Sequence, residues 1–89
     1  MLTKKEFIKE HGISRNSEFS YRLLSRMQAD CEYFINACNC SEGALKFLWA
    51  SEGAEAHIQY MKYIWDYLTE KPEWLTMEQI EEYERRMVK

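Results

Sequence analysis

Glycine and proline are scarce in this chain of 89 residues: three glycines and a single proline. None of the glycines falls in a G-x-G or Walker pattern, so a phosphate-cradling loop is excluded. Valine occurs once, at Val88, and no run of β-branched residues alternates with polar ones, which excludes a sheet. No stretch approaches the roughly eighteen apolar residues of a membrane helix. The opening MLTKKEFIKEHG holds no apolar run of secretory type. Basic excess is missing too: the net charge is −3, where a nucleic-acid-binding domain usually shows a positive stripe. Three cysteines are an odd number, which argues against a closed set of disulfides. These absences together predict a cytoplasmic protein with no membrane partner.

A 46% hydrophobic share with 15% aromatics supplies a core for one domain, expected over residues 1–89. The charge is uneven. Residues 1–46 hold seven Lys/Arg against six Asp/Glu, and residues 47–89 hold five against nine, so the second half is acidic by four.

Helix signals are written plainly. Thr3 can cap a first helix (3–11), with Glu6 closing a capping box, Leu2 stapling onto Phe7 and Gly12 ending the turn. Asn16 or Ser17 opens a second (17–38), whose seam Leu24, Met27, Cys31, Phe34, Cys38 steps by three and four. Ser41 predicts a short helix over 41–49. Ser51 predicts the cap of the second long run (52–69), with the seam Ala54, Ile58, Met61, Trp65, Leu68. After Pro72, which cannot continue a helix, Thr76 and Gln79 form a second capping box with Leu75 and Ile80 as its staple, opening a helix over 76–88. Ile80, Tyr83 and Met87 point inward, and Glu81 and Glu82 face Arg85 and Arg86. The expected fold is an all-α bundle. Two long antiparallel helices join a C-terminal helix, with short helices at the N-terminus and in the central connection.

The stretch DCEYFINACNC gathers all three thiols. Cys31 and Cys38 stand two turns apart, about 10 Å by the helical rise. Sulfurs on one tetrahedral zinc lie within about 4 Å, so both read as small core hydrophobes. Cys40 reads as a loop thiol. A metal- or thiol-dependent site at Cys31, Cys40 and His57 is the rival reading, lacking an evident fourth ligand. His57 adjoins the second seam and reads as a packed, hydrogen-bonded histidine. Asp30, beside the first seam, needs a cation or backbone donor, and Arg26 one turn back is a candidate. Trp65 reads as core, whereas Trp49 and Trp74 stand at element ends, where indoles pin loops or anchor partners. Tyr21, Tyr33, Tyr60, Tyr63 and Tyr67 lie off the seams and predict an outer aromatic face with Arg22 and Lys62.

The segments FSYRLLSRMQADCEYF (19–34), LW (48–49), HIQYMKYIWDYL (57–68) and KPEWLTMEQIEEYERRM (71–87) are similar to the large polyvalent protein-associated domain family, a small helical domain with D-C-E-Y, L-W, H-I-x-x-M and P-E-W-L-T motifs. The matching positions are Asp30, Cys31, Glu32, Tyr33, Leu48, Trp49, His57, Ile58, Met61, Pro72, Trp74, Leu75 and Thr76. Where the family often has a Gly-Asn-Arg turn, this chain has Ala37-Cys38-Asn39-Cys40, so an arginine role there does not carry over. The first helix lies outside the resemblance. The resemblance implies a domain from phages and conjugative elements, found in giant multidomain proteins or alone.

The resulting expectation is a non-catalytic interaction module of a mobile element, without cofactor or metal, accessory to element transfer or counter-defence. It acts through a protein partner, with Asp30, Tyr33, Trp49, His57 and Trp74 as the interaction or structural-motif residues. The oligomeric state is left open. The alternative is a nucleic-acid-associated domain using Lys4, Lys5, Lys9, Arg15, Arg22 and Arg26.

Overall fold

Both capping boxes form. In the computed structural model, which describes residues 1–88, Thr3 accepts from the Glu6 amide while the Glu6 carboxylate accepts from the Thr3 amide. Thr76 and Gln79 repeat the exchange. Residue 89, the end of the expected domain, lies outside the described residues. Among the described residues four α-helices follow: α1 (Lys4–His11), α2 (Glu18–Asn36), α3 (Ala54–Tyr67) and α4 (Met77–Met87), with a 3-10 helix at Glu42–Phe47 between α2 and α3. Among the described residues there is no strand. The fold is all-α.

Helix ends differ from the sequence expectation for local reasons: α3 ends at Tyr67 rather than 69, because Leu68 turns to extended backbone, and three further differences follow. The second helix stops at Asn36 rather than 38, because Asn39 and Cys40 both take positive φ, 52° and 56°. The Cys40 amide turns back to the Phe34 carbonyl at 3.0 Å. Cys38 therefore leaves the seam and is only partly buried. The segment after Ser41 is a 3-10 helix of six residues, closed by i→i+3 bonds such as the Ala44 amide to the Ser41 carbonyl at 3.1 Å, and Ser41 makes no side-chain cap. The second long run, α3, starts at Ala54. Its N-cap is Gly53 at φ 125°, a region closed to other residues, and not Ser51.

α3 is the central element, packed on α1, α2 and α4. Its inner residues Ile58, Met61 and Ile64 are fully buried with Leu24, Met27 and Cys31 of α2 and Ile80 of α4. At 3.5 Å the Cys31 Sγ meets the Met61 Sδ, the point where the two seams touch. Tyr60 departs from expectation. It is buried, not part of an outer aromatic face, because Phe7 of α1 stacks on its ring at 4.4 Å. Its hydroxyl accepts from the Leu2 amide (2.9 Å) and donates to Glu52 (2.8 Å). Trp65 is half-buried and pins the loop before α4 through Nε1–H to the Leu75 carbonyl, 3.0 Å.

Two further devices close the loops. Lys71 Nζ donates to the carbonyls of Trp65, Asp66 and Leu68 at 2.7–2.9 Å, capping the negative end of α3. The buried Ser20 hydroxyl donates to the Ser14 carbonyl (2.9 Å) and accepts from the Ser14 amide (3.0 Å), fixing the turn between α1 and α2.

Gly12 ends α1 at φ 65°, and no atom stands within 4 Å of where a Cβ would sit. A Gly12→Ala substitution therefore meets conformational strain alone. It is expected to lower stability by about 1 kcal/mol in a urea titration, without altering the helical circular dichroism of the folded state.

Candidate functional site: the His57–Asp30 clasp

Three of the expected site residues converge where α2, α3 and the loop after the 3-10 helix meet. His57 sits in the first turn of α3 and is fully buried. The Ala50 amide points at its Nδ1 at 3.4 Å, and its Nε2 lies 2.9 Å from the Met27 carbonyl in the middle of α2. An amide can only donate and a carbonyl only accept. The ring is therefore the neutral tautomer with its proton on Nε2. Burial pushes the imidazole below its ordinary value of 6.5, outweighing the Met27 hydrogen bond and the Asp30 charge, both of which favour the cation.

Asp30 works on the same loop from the other side. Its Oδ2 accepts from the Trp49 amide at 2.9 Å, and its Oδ1 faces Arg26 Nε at 3.4 Å. The carboxylate is only 14% exposed, so the Arg26 charge and the amide replace much of its water. Leu48 and Ala50 are buried on either side. The half-buried Trp49 ring meets Phe7 at 6.0 Å and His11 at 5.1 Å, each edge-on. Asp30, Trp49 and His57 thus form one clasp that holds residues 48–50 against α2.

The other two expected residues stand apart from it. Tyr33 is 53% exposed and meets the edge of Phe47 at 5.8 Å. Trp74 is 43% exposed; its backbone carbonyl accepts from Gln28 at 3.4 Å, while its indole faces out. The next residues, Leu75 and Thr76, are absorbed as core and helix cap.

The chemistry open to the clasp is limited by these contacts. Both ring nitrogens of His57 are committed, leaving neither to accept or deliver a proton to a substrate. Burial, followed by the charges of Asp30 and Glu32, pushes the Cys31 thiol far above the thiol range, which disfavours the nucleophilic thiolate. Cys40 lies at the other end of the 3-10 segment, its Sγ 3.5 Å from the Arg86 carbonyl. Cys31, Cys40 and His57 are not brought together: Cys31 contacts Met61, and His57 contacts Met27 and Ala50. Among the described residues no group of three or more His, Cys, Asp and Glu side chains is placed to hold a metal ion.

Sequence reasoning missed two exposed residues, Phe19 (52%) and Phe47 (50%). Phe19 was legible. It lies on the outer arc of α2 with Arg22, Arg26, Ala29 and Tyr33, spaced by three and four. Phe47 was not, because its direction depends on the 3-10 geometry.

Two outcomes follow from the clasp. Below pH 6.5 the unfolded chain takes up a proton at His57 that the folded chain resists. Stability is thus full above that value and is lost as pH falls. Urea midpoints for the natural chain should drop more between neutral and mildly acidic pH than those of His57→Gln, although the variant starts lower. Asp30→Ala should cost about 1–3 kcal/mol by leaving the Trp49 amide unsatisfied, and Asp30→Asn distinctly less because an acceptor remains.

The family model described as large polyvalent protein-associated domain 11 matches residues 17–87. No curated protein and no solved structure matches the chain. The matched span runs from the N-cap of α2 to the last residue of α4 and takes in the whole clasp. The chain belongs to the large polyvalent protein-associated domain 11 family.

Proposed function

We propose that this protein is a non-catalytic interaction module of a mobile element, a phage or conjugative element, working in the cytoplasm as an accessory to element transfer or counter-defence. In this reading it acts by binding a protein through the outer face of α2. The reading rests on one observation above others. Phe19 and Tyr33 stand half-exposed on the arc Phe19, Arg22, Arg26, Ala29, Tyr33, and Phe47 extends it edge-on from Tyr33. By the helical rise the two rings on α2 are about 21 Å apart, a length suited to a helix or a domain edge laid alongside.

Aromatic and arginine side chains are the residues that most often anchor interfaces. Ala29 leaves a low point between them, where a partner's side chain can settle. The arginines are held in register by neighbours on the same helix, Arg22 by Glu18 at 2.6 Å and Arg26 by Asp30 at 3.4 Å. The commitment of His57, Asp30 and Cys31 to packing favours this reading over a catalytic one.

A Phe19→Ala/Tyr33→Ala/Phe47→Ala variant tests it. All three rings are exposed, so the melting temperature should move little. Capture of a host or element protein by the natural chain, seen by pull-down and then with the purified pair, should fall by roughly a hundredfold or more, as loss of two or more anchors implies. A partner held equally well by natural chain and variant removes α2 as the contact face. If sedimentation shows self-association of the natural chain that the variant loses, the partner is a second copy.

A further inference from the structure

α1, the segment before α2 and the end of α3 enclose an open cleft of about 500 Å³ lined by Lys4, Lys5, Ile8, Lys9, Arg15 and Tyr67. Four cations meet there in a chain whose net charge is −3. Asp66 pairs with Lys4. Among the described residues Lys5, Lys9 and Arg15 form no ion pair. Lys4 and Lys5 also open α1, where positive charge opposes the helix dipole. Lys4 offsets that cost by pairing with Asp66 of α3, whereas Lys5 has no ion pair among the described residues and lines the cleft instead.

The cleft is not simply a patch of charge. Ile8 gives it an apolar floor, and the Arg15 guanidinium lies over the Tyr67 ring at 4.3 Å. The Arg15 backbone is fixed in turn, its carbonyl accepting from the Thr69 amide at 2.9 Å. The result is a flat, cationic stacking platform beside an apolar floor, with Lys5 and Lys9 one helical turn apart along the rim. An acidic peptide would use the charges and leave the platform idle. A nucleotide unit uses both, since bases stack on arginine planes and aromatic rings while phosphates take the lysines. The cleft is open rather than closed, so a strand can pass through it.

The geometry points to a binding site for single-stranded nucleic acid in this cleft. Lys5, Lys9 and Arg15 hold phosphates, and the Arg15–Tyr67 stack receives one base. Lys4, Lys5, Ile8, Lys9 and Arg15 lie before residue 17, outside the family match, and Tyr67 alone comes from within it. The site shares no residue with the α2 face proposed above for protein contact.

Fluorescence anisotropy of a dye-labelled oligothymidylate, titrated with the full chain at low salt, tests the site. Saturable binding is expected. Neutralising three phosphates on a single strand gives a slope near 0.7 each, so about a fourfold rise in salt should weaken binding ~20-fold. Lys5→Glu/Lys9→Glu should weaken it by ~10-fold or more, and Tyr67→Leu by ~5-fold or more, with helical circular dichroism retained. Lys46→Glu/Arg86→Glu, which makes the same change in net charge at two exposed positions elsewhere, should bind within about twofold of the natural chain. Absence of binding by the natural chain overturns the assignment. So does equal weakening by both charge reversals, since the effect would then be the general field. Binding of polyglutamate or of a free nucleoside triphosphate without binding of the strand also overturns it, giving the cleft to an acidic protein or a small nucleotide.

Discussion

A neutral, fully buried imidazole holds this fold in register. His57 belongs to the first turn of α3, yet its two nitrogens reach the middle of α2 and the loop that precedes α3. Charging the ring would turn Nδ1 from acceptor into donor, directly against the Ala50 amide. The bridge requires neutrality, and burial supplies it by pushing the proton affinity down. Asp30 completes the arrangement by accepting from the adjacent Trp49 amide, so successive amides of one loop are bound by acceptors from two helices. Without these acceptors the loop would bury donors with no partner. As it stands, among the described residues no buried side-chain nitrogen or oxygen lacks a hydrogen-bond partner.

The placement of α4 depends on the same logic at a second joint. Trp65 of α3 donates to the Leu75 carbonyl, and Lys62 reaches Glu84 at 2.8 Å. Tyr83 donates to Glu32 of α2 at 2.9 Å. The core between these contacts is apolar and directs little by itself. The polar contacts tie α4 to α2 and α3 along its margins.

Local signals were legible in the sequence, and relations between distant segments were not. The two capping boxes, the Gly12 stop and the seam through Leu24, Met27 and Cys31 obey rules spanning four to seven residues, and the structure has them all. The rules failed where another segment intervened or a less common geometry prevailed. Tyr60 sits beside the α3 seam and reads as outward until Phe7, more than fifty residues earlier, covers it. Cys38 continues the α2 seam on paper, but two successive left-handed residues end the helix first. Gly53 takes over the cap expected of Ser51 because its φ of 125° permits a chain direction no side chain allows. At the clasp, Asp30 and His57 could be marked as needing partners. That both needs were met by one loop was beyond any spacing rule.

The residues carrying the family resemblance divide by fate. Asp30, Cys31, Leu48, His57, Ile58, Met61, Leu75 and Thr76 are spent on packing, bridging or capping. Tyr33 and Trp74 present their rings to solvent. A motif that makes a fold is therefore a poor guide to what the fold does, and specificity has to come from surfaces the motif leaves free. α1 is such a surface, and it is also part of the core. Phe7 on its inner side is fully buried against Tyr60, while Lys5 and Lys9 line the outer cleft. Any ligand that favours the docked helix must, by mass action, stabilise the packing beneath it, and any loosening of Phe7 must weaken that ligand by the same free energy. One eight-residue helix thereby couples the state of the core to the occupancy of the surface.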